Sequence, residues 1–237
     1  MTNSTAGSTA ARTAMVQTTD LTKDYSGTVA LHPLDLRIET GETVALLGHN
    51  GSGKTTFIKM AVGVLDPSGG SVKVAGHAAG SMEARAALSY LADTPSFYDD
   101  LSVWEHLEYV ARLHGMADWE QRGADLLGEL GIYDRADDLP STFSRGLRQK
   151  AAIALAFIRP FQLMLVDEPF VGLDVTGRDA LLELFDQAAA GGSTLVVATH
   201  ELKFAQRSQR LVVLADGAVV HDGPGDSDAA EEWVRQG

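Results

Sequence analysis

The sequence predicts an α/β fold with a mixed sheet at its core, on three observations. Apolar runs of strand length, at 43–47, 162–169 and 193–200, lead into polar residues at their carboxyl ends. Segments with helical periodicity lie between these runs. A glycine-rich segment, 48–56, joins the first run to a helix. Such runs are typical of strands buried in an open α/β sheet, which binds ligands at the carboxyl ends of its strands.

Composition limits the class of protein. With 237 residues, 45% of them hydrophobic, the chain can form one large domain or a domain with an inserted subdomain. A net charge of -13 argues against a general nucleic-acid-binding role, so no nucleic-acid partner is expected. The absence of cysteine excludes disulfides and thiolate metal sites, in agreement with a reducing cytoplasm. No apolar run approaches the roughly 20 residues that span a bilayer, so we expect membrane association through a partner.

The chain divides into a tail and one domain. Residues 1–14 are rich in Ser, Thr, Ala and Gly, which predicts a disordered tail. Residues 15–237 form the predicted domain, and 97–158 its inserted helical subdomain. The expected β elements of the domain are an edge strand at 16–21, a half-buried strand at 34–38, a short strand at 72–77 and a hairpin turning at 216–217. The expected helices are 82–88, 103–114, 119–130, 147–158, 179–190 and 229–234.

The segment 48–56 fits the phosphate-binding loop pattern GxxxxGK[ST]. Its glycines let backbone N–H groups point inward, Lys54 offers a charge to the outer phosphates, and Thr55 offers a hydroxyl to Mg²⁺. A glycine-rich turn that binds nothing is the alternative, but strand, loop, Lys-Thr and apolar helix occur in the required order. The residues predicted to bind nucleotide here are Gly48, Asn50, Gly51, Ser52, Gly53, Lys54, Thr55 and Thr56.

Two later strands end in polar side chains with catalytic potential. Asp167 and Glu168 follow one run, where Asp167 suits Mg²⁺ and Glu168 suits a general base that polarises water. His200 ends the next run and is expected at the same edge. The alternatives are a solvated acidic pair and a histidine satisfied within the core. Delivery of all three to one rim favours the catalytic interpretation.

The segment 143–150, FSRGLRQK, resembles the LSGGQ signature of ATP-binding cassette (ABC) transporter ATP-binding subunits. The resemblance runs from about Val16 to the C-terminal tail and implies a P-loop ATPase of the ABC type. It implies that Ser144 and Gly146 cap the γ-phosphate of the nucleotide bound to the opposite subunit. Arg145 and Leu147 depart from the common Gly and Gln.

Further positions take roles from this resemblance. Tyr25, which by itself suits either packing or stacking, matches the aromatic residue that stacks on adenine. Residues 172–174 match the loop that crosses the dimer interface, and His200 matches the histidine that contacts the γ-phosphate. Asp93 stands where the family has a glutamine that binds Mg²⁺. Two interpretations stay open: Asp93 binds Mg²⁺ more tightly, or it points away.

The resemblance implies that the protein binds ATP and Mg²⁺ and hydrolyses ATP with Lys54, Glu168 and His200. It also implies a homodimer or paired cassette, and a separate transmembrane permease that holds the chain at the inner face of the cell membrane. Export is favoured over import, because variants of this signature are familiar in exporters. A soluble ABC-type ATPase without a transport partner is the alternative; a nucleotide kinase or GTPase would lack the signature and His200.

Overall fold

A computed structural model of the chain describes residues 14–225 and Glu231. The strands in chain order are β1 (Ala14–Tyr25), β2 (Thr28–Leu34), β3 (Arg37–Glu39), β4 (Thr43–Leu47), β5 (Gly69–Val74), β6 (His77–Ala78), β7 (Leu88–Leu91), β8 (Leu163–Asp167), β9 (Thr194–Ala198), β10 (Arg210–Ala215) and β11 (Ala218–Pro224). The helices are α1 (Lys54–Val62), α2 (Met82–Ala87), α3 (Val103–Leu113), α4 (Glu120–Glu129), α5 (Arg145–Phe157), α6 (Val175–Ala190) and α7 (Leu202–Arg207). Short 3₁₀ turns lie at Tyr133–Arg135 and Pro140–Thr142.

The central sheet has six strands in the order β11-β10-β4-β9-β8-β7. All of its pairings are parallel except that of β10 with β11. Every residue of β4, β8 and β9 is buried, because helices and the second sheet cover both faces. The predicted mixed sheet and the hairpin at 216–217 are therefore confirmed.

The second sheet is antiparallel, in the order β2-β1-β5-β6, and β3 also pairs with β1. The prediction of an edge strand at 16–21 was wrong, because β1 lies inside this sheet between β2 and β5. The predicted strand 34–38 is split between β2 and β3. Its interruption follows from Thr18, whose hydroxyl donates to Leu34 O at 2.8 Å and accepts from Leu36 N at 2.7 Å. These bonds replace strand pairing at the break.

Three helices, α3, α4 and α5, fall within the segment predicted to form a helical subdomain. A capping box of Ser102 and Glu105 begins α3, as the sequence indicated. Two helices begin earlier than predicted because a side chain caps them: Ser144 accepts from Leu147 N at α5, and Asp174 accepts from Gly177 N at α6. The six-residue helix α7 was not predicted from the sequence.

The predicted terminal features lie almost wholly outside the described residues. Of the tail predicted at 1–14, only Ala14 is described, and it begins β1. Of the helix predicted at 229–234, only Glu231 is described. No helix in the described part of the chain is long and apolar enough to cross a membrane.

Alternate residues of the central strands enter two hydrophobic cores. On β4, Ala45 and Leu47 face the core shared with α3, α5 and α6, whereas Val44 and Leu46 face the core shared with α1 and the second sheet. This alternation follows from the two-residue period of a strand. Because both faces are packed, the sheet is a fixed support for the loops at its carboxyl edge.

The close contact between Gly63, which follows the end of α1, and Gly80 gives a test of the packing in this part of the fold. Gly63 has φ +81°, and a Cβ added to it would lie 2.3 Å from Gly80 Cα. We expect Gly63→Ala to lower the free energy of unfolding by more than about 1 kcal/mol, because both the backbone conformation and the contact oppose a side chain. Denaturant unfolding followed by circular dichroism measures this.

Gly128 supplies the matched control. It lies in α4 with ordinary helical φ, and an added Cβ meets nothing within 4 Å. Gly128→Ala should raise the free energy of unfolding by roughly 0.5–1 kcal/mol, because alanine is the better helix former. Equal effects of the two substitutions would contradict the assigned packing.

Candidate nucleotide-binding site

A cavity of about 570 Å³ opens at the carboxyl edge of the central sheet. It brings together the loop after β4, the loop after β7 and the residues that follow β8 and β9. Its lining residues are Ala30, His49, Asn50, Gly51, Ser52, Gly53, Lys54, Thr55, Thr56, Asp93, Glu168, Val171 and His200. Parallel strands deliver these groups to one rim because their carboxyl ends meet at the same edge.

The loop after β4 is wedged between backbone segments from both sheets. Gly48 has φ +143°, and an added Cβ would lie 2.1 Å from Leu214 O. At Gly53, with φ +107°, an added Cβ would lie 2.8 Å from Ala30 O. No side chain fits at either position, so the two glycines allow the loop to curve with its N–H groups inward.

Lys54 begins α1 beneath this loop and is buried. Its ammonium donates to Gly48 O at 2.5 Å and to His49 O at 3.3 Å. It lies 3.6 Å from Glu168 Oε1. Burial lowers the pKa of Lys54, and the negative charges of Glu168 and Asp167 oppose that shift. Two carbonyl oxygens and the Glu168 carboxylate thus position the lysine side chain at the floor of the cavity.

Asp167 is the last residue of β8 and only 1% exposed. Burial raises the pKa of its carboxyl, a hydrogen bond with Thr55 lowers it, and the nearby charge of Asp93 raises it. The carboxylate therefore lies beside the hydroxyl that the sequence assigned to Mg²⁺.

Glu168 leaves the strand with a sharp change of backbone direction. Its φ is +45°, which is uncommon for a residue with a side chain, while its N–H still donates to Ala198 O at 2.8 Å. This turn places the carboxylate in the cavity beside Lys54. Burial raises the pKa of Glu168, the charge of Lys54 lowers it, and the charge of Asp167 raises it.

His200 follows β9 and lies on the other side of Glu168. Its Nε2 is 3.0 Å from Glu168 Oε1. Burial, and then the charge of Lys54, lower the pKa of His200, so its imidazole favours the neutral form. Lys54, Glu168 and His200 form one row across the cavity floor, as expected from the strand ends.

Three buried atoms of the site have no hydrogen-bond partner within the described part of the chain: Ser52 Oγ, Asp167 Oδ1 and Glu168 Oε1. Orphaned buried polar atoms are rare in folded proteins. Ser52 Oγ suits a phosphate oxygen, Asp167 Oδ1 a hydrated cation, and Glu168 Oε1 a water molecule. The described residues contain no group of three or more His, Cys, Asp or Glu side chains able to hold a metal. A magnesium ion here would therefore need phosphate oxygens and water as its other ligands.

Four predicted nucleotide-binding residues lie outside the cavity lining: Gly48, whose neighbours in the loop line it, and Tyr25, Ser144 and Gly146. Tyr25 ends β1 with 49% of its surface exposed, and Lys23 Nζ lies 5.2 Å from its ring centroid. Ser144 caps α5, and Gly146 packs so closely on the loop after β8 that a Cβ would lie 2.6 Å from Gly172 O. The roles predicted for these residues stay predictions.

Two contacts of the site were not anticipated. Ala30 lines the cavity from β2, and no sequence pattern points to it. Arg145 Nη2 lies 3.9 Å from Asp93 Oδ1. In the sequence, Arg145 and Asp93 are each recognisable only as departures from the family pattern. Their opposite charges are the one feature that could have suggested the pair.

Burial of Asp167 predicts a cost in stability. Because its folded pKa is raised, the penalty is present above that pKa and disappears as the pH falls and the carboxyl becomes protonated. We expect Asp167→Asn to add about 1 kcal/mol to the free energy of unfolding at neutral pH without nucleotide, or roughly 2–4 °C in Tm. Calorimetry at neutral and acid pH should show this gain shrinking on acidification, and Asp99→Asn, at an exposed position, should show none. A loss of stability in Asp167→Asn at neutral pH would contradict the argument.

Comparison with known proteins places this site in a family. The family model described as ABC transporter matches residues 31–171. The ABC-type transporter ATP-binding protein EcsA of Bacillus subtilis is 35% identical over 205 residues, which cover 84% of this chain and 83% of EcsA. The macrolide export ATP-binding/permease protein MacB of Rhodopseudomonas palustris is 36% identical over 204 residues, but the chain spans only 31% of its length.

A solved structure described as the ATP-binding subunit of an ABC transporter has the same fold. The TM-score is 0.84 at 32% sequence identity, and the alignment covers 94% of this chain and 95% of the other. The match extends through both sheets and the helical segment, and it agrees with the predicted P-loop fold. The chain therefore belongs to the ABC transporter family, as an ATP-binding subunit with ATPase activity.

Proposed function

We propose that the chain hydrolyses ATP within a dimer of two cassettes and thereby drives a separate transmembrane permease. One observation supports the dimer most directly: Lys54, Glu168 and His200 line one cavity, while Ser144 and Gly146 of the same chain lie outside it. A nucleotide contacted by both groups needs a second chain. The partner is either an identical copy or a paired cassette.

The loop after β4 is the proposed phosphate-binding segment. Inward N–H groups, the N-terminal end of α1 and the ammonium of Lys54 converge on the point that a phosphate chain would occupy. Ser52 Oγ is buried there without a partner in the described structure, which fits a phosphate oxygen as its missing partner. Tyr25, exposed at the end of β1, is the proposed stacking surface for adenine.

Thr55 and Asp167 are the proposed magnesium ligands, with Asp93 as a third candidate at the cavity wall. Their oxygen atoms suit this hard cation, and Asp167 Oδ1 is buried without a partner among the described residues. When bound, Mg²⁺ would neutralise charge on the phosphate oxygens. The protein's part is to hold the carboxylate and hydroxyl oxygens at fixed positions.

Glu168 is the proposed general base, which orients and polarises the attacking water. Its raised pKa makes it a stronger proton acceptor than an exposed glutamate. His200, held neutral by its surroundings, can donate or accept a hydrogen bond at the γ-phosphate. Lys54 stabilises negative charge that develops on the same phosphate.

The proposed transport partner is a separate transmembrane permease, in agreement with the ATP-binding role of the family. We place the chain at the inner face of the cell membrane, attached through its permease. Export is the proposed direction, supported by the variant signature at 143–150 and by the relative MacB, which is a macrolide export protein. Co-purification of a membrane protein with this chain would test the coupling, and its absence would favour a soluble ABC-type ATPase.

Glu168→Gln tests the base and the dimer together. The amide keeps the size of the side chain but cannot accept the proton, so turnover should fall by at least about 10²-fold while ATP binding persists. Closed dimers should then accumulate with Mg-ATP, as measured by analytical ultracentrifugation. Glu183→Gln, the same change at an exposed position on α6, is the control and should leave both measurements unaltered. Normal turnover in Glu168→Gln would contradict the base assignment.

The pH dependence of turnover gives a second test. Because burial raises the pKa of Glu168, its carboxylate is lost at a higher pH than that of an exposed glutamate. As the pH is lowered, kcat should therefore begin to decrease at a pH above the ordinary pKa range of glutamate. The decrease should become larger as the pH falls further. A rate that stays constant through that region would contradict a buried carboxylate base.

A further inference from the structure

An ion pair joins the nucleotide cavity to the start of α5. Asp93 lines the cavity, and Arg145 is the first residue of α5, between the two residues proposed to contact the partner chain's nucleotide. Arg145 Nη2 and Asp93 Oδ1 are 3.9 Å apart. The pair thus links the wall of the chain's own site to the surface that would complete the site of its partner.

Arg145 also lies across the loop that follows β8. A Cβ added to Gly172 would lie 3.3 Å from Arg145 Cγ and 3.4 Å from its Cδ. This loop begins at Glu168, so the arginine side chain contacts two of the segments that form the cavity. The start of α5 cannot move away from the cavity wall unless Arg145 leaves Asp93 or the loop after β7 moves with it.

The charges around the pair explain why it forms. Arg145 stands at the N-terminal end of a helix, where a cation is unfavourable, and the first turn of α5 contains no acidic residue. Asp93 supplies the compensating charge from another element. In return, Arg145 offsets a carboxylate whose charge raises the pKa of both Asp167 and Glu168. Each residue therefore relieves an unfavourable charge of the other.

We propose that Asp93 and Arg145 form an intrachain latch that holds the start of α5 against the cavity wall and opposes nucleotide-driven dimerisation. The latch rests on the proposed function, because it regulates the same two-chain site. Asp93 would release Arg145 if its carboxylate helped to hold a divalent cation bound with the phosphates. The start of α5 would then be free to meet the partner's nucleotide. Arg145 acts as a positioning residue, and no covalent bond changes.

The exposure of the pair sets the size of the expected effect. The side chains of Arg145 and Asp93 are 68% and 46% exposed, so water and salt screen their attraction. Exposed pairs contribute little, and binding of a nucleotide with its cation is strong enough to break one. We expect loss of the latch to lower the Mg-ATP concentration for half-maximal dimerisation by about 2- to 5-fold.

The test is a double-mutant cycle in the Glu168→Gln background, in which dimers should accumulate. Asp93→Asn removes the ion pair but keeps a side-chain oxygen able to hold the cation. Asp93→Asn and Arg145→Gln should each lower the half-maximal Mg-ATP concentration, and the double variant should lower it no further than either alone. Arg145→Lys keeps the charge and should stay near the background value. Analytical ultracentrifugation over a series of Mg-ATP concentrations gives these values, and melting temperatures verify that each variant is folded.

Salt and a second arginine supply the controls. Raising the KCl concentration should shift the background towards the Arg145→Gln value, with a smaller shift in Arg145→Gln itself. Arg112→Gln removes an arginine from an exposed pair with Glu108 on α3, away from the cavity, and should leave dimerisation unchanged.

Three results would overturn the latch: additive effects of the single substitutions, a higher Mg-ATP requirement in either, or no difference between the variants and the background. Failure of the proposed function looks different, because the Glu168→Gln background would then form no dimer at any Mg-ATP concentration. In that case both the proposed function and the latch are wrong. If the background dimerises and every variant behaves alike, the latch alone is wrong.

Discussion

The constraint on which the rest of the structure depends is the burial of three charged side chains at one edge of a parallel sheet. Lys54, Asp167 and Glu168 are each moved away from water, which lowers the pKa of the lysine and raises the pKa of both acids. Their opposite charges offset part of this cost because the side chains are close together. That closeness in turn depends on strands that cannot shift, so the apolar packing on both faces of the sheet serves the site directly.

The phosphate-binding loop is held from several directions for the same reason. Leu214 on β10 and Ala30 on β2 leave no room for a side chain at Gly48 or Gly53, and Gly217 N donates to Ser52 O at 3.0 Å. The loop therefore depends on a hairpin and a sheet that lie far from it in sequence. Fixing the loop in advance reduces the ordering that nucleotide binding would otherwise require. This explains why the antiparallel sheet and the last hairpin belong to the site although they contribute few polar groups.

Much of this arrangement was predictable from the sequence, because local patterns encode it. Buried strands ending in Asp167, Glu168 and His200 predicted one rim, and in the structure Glu168 and His200 line the cavity while Asp167 is buried directly before Glu168. The predictions that were wrong concern segments whose structure depends on residues far away in the sequence. The split of 34–38 depends on a hydroxyl of Thr18, and the position of β1 inside its sheet depends on β5, which follows the P-loop. The pairing of Arg145 with Asp93 joins residues more than 50 positions apart, for which no local signal exists.

On the proposed function, the site of a single chain is incomplete, and the geometry suggests a reason for this arrangement. Glu168 carries a raised pKa and lies between Lys54 and His200, so its row of groups is assembled before any nucleotide arrives. A preassembled row would favour wasteful hydrolysis if the remaining contacts were present in the same chain. In the proposed dimer, the position of Ser144 and Gly146 on a different surface would separate nucleotide binding from completion of the site. An exposed ion pair between the two surfaces is suited to linking these steps, because it is weak enough to be broken by a ligand and strong enough to bias the equilibrium.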